Sequence, residues 1–238
     1  MGKIVAMVGQ KGGAAKSTNT IAIAVETHRR GISTLIVDAD IEEQRSALTW
    51  ADVADEKGVD VPRVVGMGNA LRTQLPAEAE KYDLTLIDCP GRNGRRVAHA
   101  LALADLAILG VSPSPIEIWA MQGSVDQVRD VQAVRGDAPE AVILLNRRDK
   151  RTVLGRQARE ALESLEIPVM RTELSFLYGY QYAPGAGKGP TTYEPTSEAA
   201  DEVRALVDEL ERLLRLPRRK AALELVRNPP RKAAPHAK

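Results

Sequence analysis

Lys3-Ile4-Val5-Ala6-Met7-Val8-Gly9-Gln10-Lys11-Gly12-Gly13-Ala14-Ala15-Lys16-Ser17-Thr18 decides the fold, and from Asn19 onward the apolar residues fall at helical spacing. A short apolar run, a glycine-bearing turn and a helix start follow one another directly. Such a turn aims several backbone N–H groups and the positive end of a helix dipole at one point, which suits a phosphate chain. Gly12, Gly13, Ala14, Ala15, Lys16, Ser17 and Thr18 then form the cradle, with Lys16 against β- and γ-phosphate oxygens and the Ser17 hydroxyl as a ligand for Mg²⁺. The generic pattern G-x-x-x-x-G-K-[ST] is missed twice, because Gln10 stands at its first glycine and Ala15 at its second.

Working outward, Val-, Ile- and Leu-rich runs recur at residues 3–8, 33–38, 84–89, 106–111, 141–146 and 167–170, with a weaker one at 61–65. Helical patterns lie between them at 16–30, 44–57, 69–80, 95–104, 117–135, 153–165 and 197–214. The alternation predicts an α/β fold, a doubly wound, mostly parallel sheet of about seven strands flanked by helices. Residues 183–195 carry Pro184, Gly185, Gly187, Gly189, Pro190 and Pro195, which predicts a surface loop.

With 238 residues and 44% hydrophobic content the chain can bury its own core, and it reads as one domain over 1–216 with a tail over 217–238. The tail is basic, with Arg218, Arg219, Lys220, Arg227, Arg231, Lys232 and Lys238 against Glu224, although the whole chain has a formal charge of only +1. Prolines at 229, 230 and 235 predict that this end is mobile. One cysteine, Cys89, excludes an internal disulfide, and the chain starts on a strand pattern instead of a leader, so a cytoplasmic protein is expected. No apolar run approaches the roughly 20 residues that span a bilayer, so no membrane association is expected.

Asp38 and Asp40 close the second strand pattern, and Asp88 closes Leu84-Thr85-Leu86-Ile87-Asp88. In an open parallel sheet ligands sit beyond the carboxyl ends of the strands, so all three carboxylates are expected beside Lys16. The bland alternative for any one of them is a helix cap.

The start Lys11-Gly12-Gly13 resembles the deviant Walker A box of the ParA/MinD superfamily of P-loop ATPases, which keeps a second lysine at that position. Asp38-Ala39-Asp40 resembles its switch I, and Asp88-Cys89-Pro90-Gly91 its Walker B and switch II. Val111-Ser112-Pro113-Ser114-Pro115-Ile116-Glu117-Ile118-Trp119-Ala120 is similar to the Pro-Ser-Pro and Trp-Ala element of small ParF-like partition ATPases, at their dimer interface; the bland alternative packs Trp119 in the core. Asn146-Arg147-Arg148-Asp149-Lys150-Arg151-Thr152 resembles their Asn/Asp-x-Arg-Thr loop. The resemblance covers about Lys3 to Leu214.

This resemblance implies ATP or ADP with Mg²⁺ as cofactors and a homodimer that closes on ATP, Lys11 reaching the partner's phosphates. It also implies that Asp40 positions or activates the attacking water, that Asp88 organises Mg²⁺ and that Asp38 supports the metal shell. Asn146, Arg147 and the stretch 191–195, with Pro195, are the candidates beside the adenine. Two departures stand out. Ile41-Glu42-Glu43-Gln44 replaces the Pro and Gln that commonly follow the second Asp. Ala15 replaces a glycine, which leaves three readings open: a tolerated variant, weakened binding or hydrolysis, and an engineered or lapsed site.

A site of Lys11, Lys16 and Mg²⁺ with no strong base among its motifs implies slow turnover, which suits a timer. One cysteine argues against an iron–sulfur carrier. The surface it grips is open between two readings: non-specific DNA, through Lys150, Arg151, Arg212, Arg215, Arg218, Arg219 and Lys220, or a MinD-like membrane helix around Leu210, Leu213, Leu214 and Leu216. The tail's charge favours nucleoid DNA, with a separate ParB-like or adaptor protein stimulating hydrolysis; a nucleotide-impaired interaction module is the remaining alternative. With no extension before the first strand, operator-specific repression is not expected.

Overall fold

The computed structural model describes residues 2–9, 15–91, 94–149 and 151–217. Among them six strands form one parallel sheet in the order β3-β2-β4-β1-β5-β6: β1 (Lys3–Val8), β2 (Thr34–Asp38), β3 (Arg63–Gly66), β4 (Leu84–Asp88), β5 (Leu106–Val111) and β6 (Glu140–Leu145). Its helices are α1 (Lys16–Arg29), α2 (Ser46–Glu56), α3 (Leu71–Ala79), α4 (Arg95–Leu103), α5 (Pro115–Arg135), α6 (Val153–Glu163), the short α7 (Tyr178–Tyr182) and α8 (Pro190–Tyr193), and α9 (Glu198–Leu214).

Side chains on a strand alternate between faces, and both faces here are covered. Leu35, Val37, Ala6 and Val8 pack under α3 to α6, through Leu75, Leu101, Val125 and Leu162. Ile36, Val5 and Met7 pack under α1, α2 and α9, through Ile23, Trp50 and Leu210. That two-sided burial explains why the strands read as continuous apolar runs in the sequence.

β1 lies between β4 and β5, so the chain leaves its carboxyl end toward one side of the sheet and later returns to fill the other. This reversal opens a crevice beyond β1. Register fixes what faces it: Asp88 stands opposite Met7 on one side and Asp38 on the other.

Three expectations are corrected. The run at 167–170 is no seventh strand, since it touches β6 only at the isolated bridge Ile143–Val169. There Ile143 N donates to the Pro168 carbonyl and Met170 N to the Ile143 carbonyl, but the bridge goes no further, because Arg171 N and Thr172 N turn to the Glu209 carboxylate on α9.

The stretch 183–195 is not simply a surface loop, because Gly187, Gly189, Pro190 and Thr191 are buried and the Lys188 carbonyl accepts from Trp50 Nε1 at 3.3 Å. It turns through a 3₁₀ segment (Pro184–Ala186) and α8, against α1 and α2. Gly187 has φ +70, and a Cβ there would lie 2.6 Å from the Ala54 Cα. Gly187→Ala is therefore expected to cost about 2 kcal/mol, read as a lower urea midpoint with unchanged slope.

Trp119 is 74% exposed, so it is not packed in the core. The last helix goes the other way: Leu210, Leu214 and Leu216 are buried, leaving Leu213 partly exposed, so α9 is a core-packing helix and not an amphipathic membrane face. Among the described residues, no helix is long and apolar enough to cross a membrane.

Candidate nucleotide site

Ala15 precedes α1 at its N-cap with φ 58 and ψ 21, the left-handed region, which a β-carbon disfavours. It offers no side-chain cap to the helix. Gly tolerates both the angle and the N-cap position better, so Ala15→Gly is expected to stabilise the fold by about 1 kcal/mol, seen as a rise in the urea midpoint.

The head of α1 faces an open groove lined by Ala15, Lys16, Ser17, Thr18, Asp40, Gln44, Ser46, Asp88, Cys89, Gly91 and Arg147. Lys16 is buried; burial lowers its pKa, while the neighbouring Asp88, Cys89 and Asp40 act against that. A buried ammonium of this kind gains from an anion placed beside it.

Asp88 is buried and pushed up to about 7, first by burial and then by Asp38 and Asp40, against the Ser17 hydroxyl that donates to it and the charge of Lys16. Burial and Glu43 raise the Asp40 carboxyl too, opposed by Arg96 and Lys16. Asp88 Oδ1 and Asp40 Oδ1 are both buried without a hydrogen-bond partner. Burial and the Asp88 charge push the Cys89 thiol well up, which makes it an unreactive packing group.

Asp38 behaves differently. Its Oδ1 accepts from Asp40 N at 2.9 Å, and its Oδ2 accepts from Ala47 N at 3.0 Å and Leu48 N at 3.2 Å. Those last two are first-turn donors of α2, whose own N-cap, Arg45, supplies no side-chain bond. Asp38 caps α2 from a distance and does not line the cavity, as the capping alternative has it.

A second pocket adjoins the first and shares Ala15, Thr18 and Arg147 with it. Leu174, Phe176, Leu177 and Tyr180 give it an apolar wall, and Asn19 and Asn146 a polar one. Asn146 is buried, accepting from Asn19 Nδ2 at 2.8 Å and donating to the Leu144 carbonyl, so it locks α1 to the end of β6. Glu173, gripped by Arg148 and Arg159, and Glu202, accepting from Ser175 N, hold the apolar wall in place. Pro195 lines neither cavity; it is exposed and its carbonyl accepts from Arg204.

Sequence motifs point to Ala15, Lys16, Ser17, Thr18, Asp40, Asp88 and Arg147, and the fold brings these together. They miss Gln44, Ser46, the apolar wall at 174–181 and Arg96, none of which has a local spacing signature. Lys11, Gly12, Gly13, Ala14, Lys150, Arg218, Arg219 and Lys220 lie outside the described residues. The remaining cationic candidates do not share one patch. Arg151 follows β6 at the carboxyl edge, bonded to Asp149 through Nε and Nη2. Arg212 and Arg215 flank Leu213 and Leu214, which border a cavity with Lys3 and Glu140 at the opposite, amino edge.

The residues present fit a nucleotide with its metal ion. Among the described residues no group of three His, Cys, Asp or Glu side chains is arranged to hold a metal unaided. A hydroxyl, Ser17, beside orphaned carboxylate oxygens suits a cation held jointly with phosphates, as Mg²⁺ commonly is.

A parallel sheet whose switch point opens onto Lys16 and Ser17 at the head of the first helix, beside strand-end carboxylates, defines a P-loop type nucleotide-binding protein. Residues 5–188 match the CobQ/CobB/MinD/ParA nucleotide binding domain, and the chain belongs to that family. It is 24% identical over 212 residues to the maintenance of carboxysome distribution protein A of Halothiobacillus neapolitanus, covering 86% of this chain and 94% of that one. It is 26% identical over 252 residues to the sporulation initiation inhibitor protein Soj of Bacillus subtilis, covering 88% and 98%. Its fold is that of the septum site-determining protein MinD of Pyrococcus horikoshii, solved with Mg-ADP: TM-score 0.68, 22% identity, 90% of this chain and 98% of that one.

Proposed function

We propose that this chain is an ATP-dependent positioning ATPase that forms a nucleotide sandwich dimer, binds DNA without sequence preference and is released on slow, partner-stimulated hydrolysis. The observation that carries the reading is the groove itself, in which Lys16, Ser17, Asp40 and Asp88 meet one end of an apolar lobe. ATP or ADP with Mg²⁺ is the cofactor, with its phosphates at Lys16 and its base against Phe176 and Tyr180. Ser17 and Asp88 hold the metal side of the phosphates. Bound there, Mg²⁺ offsets phosphate charge that would otherwise oppose attack.

Asp40 orients the attacking water. With no strong base beside that water, turnover is slow without help from a ParB-like or adaptor protein. Ile116, 60% exposed, and Trp119 stand at the start of α5, just beyond β5, and give the second copy an apolar surface. Residues 1–216 form the ATPase domain, and the basic stretch 217–238 with Arg212 and Arg215 supplies phosphate contacts to nucleoid DNA in the cytoplasm.

The test is fluorescence anisotropy on unrelated duplexes with ATP, with ADP and without nucleotide, across a salt series. Binding is expected only with ATP, equally on every sequence, and weakening as salt rises. Nucleotide-independent or salt-insensitive binding would sink the reading.

A further inference from the structure

Arg96 sits in the first turn of α4, where a cation opposes the helix dipole and no acidic side chain shares the turn. Its guanidinium compensates by crossing to the loop between β2 and α2. Nη1 donates to the Ala39 carbonyl at 3.2 Å and lies 3.8 Å from Asp40 Oδ1, and Nη2 donates to Glu42 Oε2 at 2.7 Å. The other Glu42 oxygen accepts from Asn69 Nδ2 at 3.4 Å, just before α3.

Between these contacts Ile41 is seated on two glycines. A Cβ on Gly66 would come within 2.8 Å of its Cγ2, and a Cβ on Gly68 within 2.7 Å of its Cδ1. At the far side, Gln127 Nε2 on α5 donates to the Gly94 carbonyl, steadying the start of α4. The loop that carries Asp40 is thus held from both flanks.

We propose that Arg96 is a positioning residue for Asp40, clamping the β2–α2 loop to the start of α4 with Glu42 as its anchoring partner. The role in turnover rests on the ATPase reading above, whereas the clamp itself does not. Glu42 is the anchor of this arrangement. It supplies the carboxylate that orients the guanidinium, and the guanidinium in turn fixes the backbone on either side of Asp40. Positioning of a catalytic group within an ångström changes rate far more than affinity.

Two measurements on the full chain test this, with Arg96→Gln and Glu42→Gln singly and together. The first is hydrogen exchange of residues 39–46 without nucleotide, where both single variants are expected to exchange about tenfold faster and the double variant no faster than Arg96→Gln. The second is steady-state ATP hydrolysis beside nucleotide affinity, where kcat is expected to fall about tenfold while Kd stays within about twofold. Glu42 is half-exposed, so its variant keeps the fold even if Arg96→Gln weakens it.

Unchanged exchange in both single variants overturns the clamp. A parallel loss of affinity and kcat in Arg96→Gln overturns the positioning role, since it makes the guanidinium a phosphate contact. A wild-type chain that hydrolyses no ATP refutes the ATPase reading instead, and faster exchange in the variants then still upholds the clamp.

Discussion

Lys16→Ala is expected to weaken ATP binding by roughly a hundredfold or more while leaving the fold intact. The ammonium lies buried at the head of α1 among carboxylates, and the phosphate lobe gives a bound anion no other lysine among the described residues. Removing one partner of a desolvated charge pair typically costs about 2–5 kcal/mol, and 3 kcal/mol is about 150-fold in Kd. The fold survives because Asp88, already pushed up to about 7, takes a proton when its cation is gone and so avoids a bare buried charge. Calorimetry for affinity, with far-ultraviolet circular dichroism for the fold, checks both halves; a Kd within threefold of wild type would remove Lys16 from the site.

Glu26→Ala is expected to destabilise the fold by about 3–5 kcal/mol, as much as truncating a large core side chain. Its carboxylate on α1 is fully buried, yet accepts from Arg29 Nε at 2.8 Å and Nη2 at 2.9 Å and from Arg30 Nε at 2.7 Å. Arg30 continues the network to α9, donating to Asp208 at 2.5 Å, Glu211 at 2.9 Å and the Arg204 carbonyl. Truncation leaves Arg30 short of its central partner and loosens the joint between the two helices under the sheet.

The same network predicts a pH dependence. Burial alone would raise the Glu26 carboxyl, but the bonds and charges of Arg29 and Arg30 outweigh it and hold the pKa below the ordinary value. A depressed carboxyl contributes stability that is fully present above its unfolded pKa and is lost as pH falls through the folded one. The gap in urea midpoint between wild type and Glu26→Gln should therefore be full at pH 7 and shrink as pH falls from the ordinary carboxylate range toward the depressed folded pKa. A gap that is constant down to pH 2.5 would contradict this origin.

Much of the sheet is legible because its strands are buried on both faces, so that β1, β2, β4, β5 and β6 each appear as a nearly continuous apolar run. The run at 167–170 looks the same in sequence but pairs with β6 at one bridge only, since beyond Met170 the donors of Arg171 and Thr172 serve Glu209. The stretch 183–195 misled in the opposite sense. Its glycines are there for close packing, Gly187 on Ala54 and Gly189 on Val25, and not for exposure.

At the site, Lys16, Ser17, Asp40 and Asp88 were readable because strand ends and a glycine-bearing turn announce them. Asp38 looks the same in sequence, and its bonds to Ala47 N and Leu48 N give it a capping role that a strand-end position does not single out. Arg96 and the wall at 174–181 could not be found, since Arg96 meets Glu42 across 54 positions and nothing local marks either partner.

The most direct test is a calorimetric titration of ATP with Mg²⁺ into this chain and into Ala15→Gly in parallel. Saturable binding at one site per chain, in both proteins, is the predicted result, with Ala15→Gly equal or tighter because it relieves the left-handed backbone at the head of α1. No binding by either protein, with both folded, would contradict the nucleotide switch on which the rest depends.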